Sequence, residues 1–139
     1  MSEVSGAVYS VVFRMLPADV LGENDRRCSR DRRRWRRVRE LREQACAVAR
    51  LQRAPRMERA RLVVTVALPD RRRRDLHNFT PTIKAIVDGL VDAGVLPDDD
   101  AFHLAGPDWR LSPERSRRWM GQPTISFELA LYPVGGDGR

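Results

Sequence analysis

The sequence predicts an α+β domain: a single-layer mixed β-sheet with two packed helices, in the chain order β-α-β-α-β-β. Three observations carry this. Short segments rich in β-branched and aromatic residues read as strands, two longer segments repeat apolar residues at three- and four-residue steps, and clusters of Pro, Gly, Asn and Asp separate them. At 139 residues the chain suits one domain spanning 1–139, and a domain of this size buries roughly two-thirds of its unfolded surface without staples.

Taken in order, 7–16 (AVYSVVFRML) reads as the first strand and 17–28 as a loop. Ser29 is placed to cap a helix from Arg30 to Arg53, with Trp35, Val38, Leu41, Ala45 and Val48 forming its apolar stripe and Pro55 stopping it. Residues 61–68 (RLVVTVAL) form a near-continuous apolar run, which predicts an interior strand. After a charged loop, Thr80 before Pro81 is the expected N-cap of the second helix. Its core face is Ile83, Ile86, Val87, Leu90 and Val91, and Gly94 is its expected C-cap. Residues 101–111 predict a short third strand weakened by Gly106-Pro107, and 112–123 a basic loop or helical turn. In 124–132 Ile125, Phe127, Leu129 and Leu131 alternate inward, and 133–139 is expected to be a flexible tail.

Charge is distributed unevenly. The 26 basic residues comprise 25 arginines and one lysine, Lys84, against 19 acids. From Arg26 to Arg61 there are 15 arginines and four acids, whereas 85–100 holds five aspartates and no base. The basic segment predicts polyanion binding, in which each neutralised phosphate releases counterions. The acidic segment would repel the same phosphates, a conflict that a divalent cation between them resolves. No apolar run approaches the ~20 residues of a membrane span, and no signal-peptide pattern is present, so a cytoplasmic protein without membrane contact is expected. Cys28 and Cys46, without a CxxC, predict neither a disulfide framework nor a zinc finger.

The chemistry concentrates in 69–100, PDRRRRDLHNFTPTIKAIVDGLVDAGVLPDDD. Here a strand delivers the chain to Asp70 and Asp75, a helix bearing Lys84 follows, and Asp98, Asp99 and Asp100 come next. Phosphodiester hydrolysis needs carboxylates that hold Mg²⁺ with positions left open and a fixed cation facing the charge that grows on the phosphate oxygens. The residue types present suit both roles.

This segment resembles the core motif of the RusA-type Holliday-junction resolvases. The likeness lies in the arginine run ending in aspartate and then asparagine (Arg71, Arg72, Arg73, Arg74, Asp75, Asn78), the helix lysine Lys84, the D-G-L and A-G pairs (Asp88 to Leu90, Ala93 and Gly94), and the acidic pair Asp98 and Asp99. It covers about 40 residues, 62–104. The resemblance implies a RusA-like fold and a homodimeric, Mg²⁺-dependent endodeoxyribonuclease that cuts four-way DNA junctions in recombination and repair. It implies that Asp75 and Asp99 are metal-binding catalytic aspartates and that Lys84 is the essential helix lysine. His77 stands where the family has a second aspartate, three additional residues separate Asn78 from Lys84, and 17–24 replaces a family loop. Imidazole suits Mn²⁺ or Zn²⁺ better than Mg²⁺, so His77 is a candidate ligand or base; Asp70, Asp98 or Asp100 is the alternative source of the missing carboxylate.

Each feature has a plainer reading. Asp75 could be a turn residue, Lys84 and Asp88 an ordinary i,i+4 ion pair, the acidic run a solvated loop, Asn78 a turn cap, and Trp35 a core residue. The expected DNA contacts are Arg71 to Arg74, Asn78, and Arg32, Arg33, Arg36 and Arg37 on the basic helix. Branched DNA is the expected partner, with no small-molecule substrate. The alternatives are a non-catalytic nucleic-acid-binding module on the same fold and an arginine-rich RNA-associated protein.

Overall fold

A computed structural model describes residues 6–22 and 32–135. Strand β1 (Tyr9–Met15) is followed by a 3-10 turn (Pro17–Asp19), α1 (Arg32–Leu51), β2 (Ala60–Ala67), a second 3-10 turn (Leu76–Phe79), α2 (Thr80–Asp92), β3 (Leu104–Leu111) and β4 (Ile125–Pro133). The expected order of elements is therefore present. The Ser29 cap, Cys28 and residues 136–139 of the expected tail lie outside the described residues.

The four strands form one mixed sheet in the order β1-β4-β2-β3, with β4 antiparallel to both neighbours and β2 parallel to β3. The apolar run of β2 is interior, as expected. The alternating residues Ile125, Phe127, Leu129 and Leu131 are all buried. They share one core with Tyr9, Val11 and Phe13 of β1, with Leu41, Ala45 and Ala49 of α1, and with Ile83, Ile86, Val87 and Leu90 of α2. The two helices meet at Gly89. A Cβ there would lie 2.7 Å from Ala45 Cβ and closer still to the Arg42 carbonyl oxygen. A glycine at this position permits the close approach of the two backbones.

Five details correct the sequence reading. Trp35 is 59% exposed rather than core. It lies six residues before the buried Leu41, which at about 100° per residue places it about 120° round the helix. Helix α1 stops at Leu51, short of Arg53. Arg53 adopts φ 53°, and the Ala54 N–H donates to the Ala49 carbonyl at 2.9 Å, so a left-handed residue ends the helix before Pro55 can. Thr80 is not the cap of α2: it is the first helical residue, Phe79 is the N-cap, and the Thr80 hydroxyl donates to the His77 carbonyl at 2.6 Å. Gly94, by contrast, sits one residue beyond the Ala93 C-cap at φ 85°. There the Gly94 and Val95 N–H groups reach the Val91 and Leu90 carbonyls, the hydrogen-bond pair of a Schellman motif.

The third correction of local structure concerns Gly106. Strand β3 runs eight residues through Gly106-Pro107, with its register to β2 shifting between Arg61 and Val63. Gly106 has φ 105°, and a Cβ on it would stand 2.6 Å from the Leu62 carbonyl oxygen, so the glycine makes the bulge possible. The last correction is at the C-terminus. Pro133 belongs to β4, and the Val134 N–H donates to the Arg59 carbonyl at 3.0 Å, which removes 133 and 134 from the expected tail.

Candidate functional site

The strand directions decide what meets what. Met15 pairs with Ile125, Ala67 with Ser126 and Val66 with Leu111. The chain therefore leaves β1, β2 and β3, and enters β4, at one end of the sheet. The start of α2 is fixed there by the fully buried Thr82, whose hydroxyl accepts from the Leu21 N–H and donates to the Leu21 carbonyl, both at 2.8 Å. The first half of α1 is held there by Arg37, whose Nε donates to the Asp19 carbonyl at 2.7 Å. That end thus collects the Arg71–Arg74 loop, Asp75, the N-terminal part of the basic helix, and the loop carrying Arg115, Arg117 and Arg118.

Asp75 precedes the second 3-10 turn, and its Oδ1 accepts the His77 backbone N–H at 3.0 Å. This is the turn-capping role of the plainer reading, and it leaves the side chain 80% exposed. His77 Nδ1 is 3.9 Å from Asp75 Oδ1, and the imidazole stands edge-on to Trp109 at 6.0 Å between ring centres. Asp75, His77, Asp108 and Trp109 line one shallow depression of about 440 Å³. Sequence reasoning did not assign Asp108 or Trp109 to this site, because the parallel pairing of β3 with β2 is what brings them here.

Lys84 lies about 6 Å along α2 from its first residue, at 1.5 Å per residue. Its Nζ donates to Asp88 Oδ1 at 3.0 Å and, more closely, to Asp99 Oδ2. The loop after α2 therefore brings Asp99 beside Asp88, with the Lys84 ammonium between them. Asp99 raises the lysine pKa first and Asp88 second, while Lys84 lowers that of Asp99. The ammonium group is consequently charged at neutral pH.

The other candidates are committed elsewhere. Asp70 forms a salt bridge with Arg74 at 2.7 Å and accepts the Arg72 backbone N–H. Arg74 foremost, and then Arg72, hold its carboxyl well below the usual range. Asp98 Oδ1 accepts the Asp99 N–H at 2.7 Å, and Asp100 accepts from the His103 N–H and imidazole. Arg71 and Arg73 are exposed, as are Arg32, Arg33 and Arg36, whereas Arg37 is largely enclosed by its bonds to Asp19, Met15 and Glu40. Asn78 packs against Gly22.

A metal site can be tested against this donor set. Mg²⁺ is held through one or two carboxylates, with water completing its shell. The exposed Asp75, just before α2, and the Asp99 carboxylate at Lys84 are the side chains that such a site would use. Among the described residues no three His, Cys, Asp or Glu side chains group to hold a metal ion, so an all-protein cage is not what they form.

The carboxylates also set the acid response. Asp70, Asp92, Asp99 and Asp100 all have lowered pKa values, owed first to Arg74, Arg42, Lys84 and the His103 N–H respectively. Such groups stabilise the fold fully above the unfolded carboxyl pKa of 3.8 and lose that contribution as pH falls through their lower folded values. Thermal melts are expected to be level between about pH 7 and pH 5 and to fall below about pH 4. Asp92→Asn, which breaks the two-pronged Arg42 contact (2.6 and 2.9 Å), should make that fall shallower. A melting temperature that rises on acidification would contradict the pairing.

Searches of protein-family models and of curated proteins find no match to this chain. No helix among the described residues is long and apolar enough to cross a membrane.

Proposed function

We propose that this protein is a metal-dependent, structure-selective endodeoxyribonuclease resembling the RusA-type resolvases, acting on four-way DNA junctions. The observation that carries the reading is the gathering, at one end of the sheet, of exposed arginines with Asp75 and the start of α2, the helix whose Lys84 is paired with Asp99. The net charge of +7 favours a polyanionic partner. Arg71, Arg73 and the exposed arginines of α1 would grip phosphates, contacts that position DNA without reading its sequence.

Asp75 and Asp99 would hold Mg²⁺ or Mn²⁺, with His77 beside Asp75; the bound ion supplies charge neutralisation and a water of lowered pKa. Lys84 remains protonated through its two aspartates, so it offers a fixed positive charge to a phosphate oxygen and does not act as a base. Two symmetric cuts call for two sites, hence a two-fold homodimer. The test is incubation of the protein with a labelled four-way junction and with linear duplex, with Mg²⁺ and with a chelator. Metal-dependent cutting of the junction supports the proposal. Salt-sensitive binding without cutting under Mg²⁺ or Mn²⁺ supports instead a non-catalytic binding module, the reading favoured by the capping role of Asp75.

A further inference from the structure

Between β3 and β4, residues 116–124 form a small projecting hairpin. Trp119 and Gln122 exchange two backbone hydrogen bonds, each 2.9 Å, and the two residues between them, Met120 and Gly121, have φ values of 49° and 78°. Positive φ at both central positions makes this a type I′ turn, which favours Asn-Gly; methionine at the first position is disfavoured by its Cβ. The side chains displayed are apolar and open to solvent, Trp119 at 56% and Met120 at 80% exposure. A solvated loop has no use for either, and a strained turn that displays them points to a contact.

The base of the hairpin is rigid. The Ser116 hydroxyl donates to the Thr124 carbonyl, the Thr124 hydroxyl to the Arg117 carbonyl, and Arg118 reaches the Gly121 carbonyl at 2.7 Å. Exposed Arg115, Arg117 and Arg118 stand within four residues at the base and first arm of the hairpin. Trp119 forms one wall of a groove of about 410 Å³ that also contains Arg14 and Arg37. Trp119 therefore shares its groove with two guanidinium groups, one of them held by the Asp19 carbonyl. This fits an aromatic base attached to a phosphate backbone: the ring stacks and the guanidinium groups hold the phosphates.

We infer that the Trp119–Met120 hairpin is a stacking element for an unpaired or unstacked base, engaging the nucleic-acid strand where pairing is interrupted. The inference rests on the nucleic-acid reading above and adds to it the element that distinguishes a branch from continuous duplex. Apolar side chains inserted at base steps exploit positions where stacking is already weakened.

The test uses full-length protein in two forms. In one, Trp35→Phe and Trp109→Phe leave Trp119 as the sole indole; in the other, Trp119→Ala is compared with Trp119→Phe. Oligothymidylate, a four-way junction and blunt duplex are titrated, with melting temperature as the folding control. Oligothymidylate and the junction are expected to quench the Trp119 fluorescence strongly and duplex weakly. Trp119→Ala should weaken binding to the first two about tenfold, in keeping with the energy of one base stack, with duplex binding within twofold; Trp119→Phe should restore most of the loss. Wild-type protein that binds these DNAs with Trp119→Ala binding them equally well would overturn the hairpin inference alone. Wild-type protein that binds none of them would overturn the nucleic-acid reading and the inference with it.

Discussion

Replacing Gly89 by alanine is expected to destabilise the fold by about 2–3 kcal/mol, or roughly 10 °C in melting temperature for a chain of this length. The sign is informative, because in an isolated helix the same change stabilises by about 1 kcal/mol. Here the new methyl meets backbone: it would press on the Arg42 carbonyl and stand 2.7 Å from Ala45 Cβ. Neither neighbour is the flexible end of a side chain, so α1 and α2 must separate. Separation would loosen Leu41, Ala45, Ile86 and Leu90, all at most 1% exposed. Denaturant unfolding of the two proteins measures the difference. A stability gain would mean that the helices do not cross at Gly89.

Replacing Lys84 by alanine is expected to reduce junction cutting by about 10²–10³-fold, the usual loss when one preorganised donor to a developing oxyanion is removed. Folding should be nearly unaffected, since Lys84 is more than half exposed and exposed ion pairs contribute little. DNA affinity should also stay within about twofold, because many arginines share the phosphate contacts. The loss therefore falls on the rate of cutting at saturating DNA. Lys84→Arg keeps the charge, but its forked head matches the two aspartates differently, so rescue is expected to be partial. If Lys84→Ala instead cut normally, the Lys84–Asp88–Asp99 cluster would be a surface ion network and nothing more.

Much of the fold was legible because the period of the apolar residues carries it. The alternation of Ile125, Phe127, Leu129 and Leu131 and the repeat of Ile83, Ile86, Val87, Leu90 and Val91 were both read from spacing; eight of these side chains are buried and Val91 is half-buried against the core. Trp35 misled because apolarity alone does not fix a helix face, and an arginine-rich helix gives few competing signals. The C-terminal end of α1 and the start of α2 were misplaced because left-handed Arg53 and the 3-10 turn before Thr80 override the usual meaning of proline.

At the site, sequence spacing anticipated the i,i+4 contact of Lys84 with Asp88, whereas the approach of Asp99 to the same ammonium group emerges only from the structure. It did not reveal that Asp70 is taken by Arg74 or that Asp100 turns to His103. Those bonds depend on local loop geometry, which residue types alone leave open. The convergence of the arginine loops was hidden for another reason: it follows from strand order and direction, and the β1-β4-β2-β3 sheet with its parallel β2–β3 pair is a long-range property.

Asp75→Asn is the most direct probe of the proposed nuclease, because asparagine can still accept the His77 N–H through its carbonyl oxygen while losing the negative charge a cation needs. The measurement is cutting of a four-way junction in Mg²⁺, with junction binding and melting temperature determined alongside. Wild-type protein should cut, and Asp75→Asn should bind the junction at least as tightly, melt at the same temperature and cut at least a hundredfold more slowly. Cutting by Asp75→Asn at the wild-type rate would show that Asp75 is only the cap of its turn and would contradict the account.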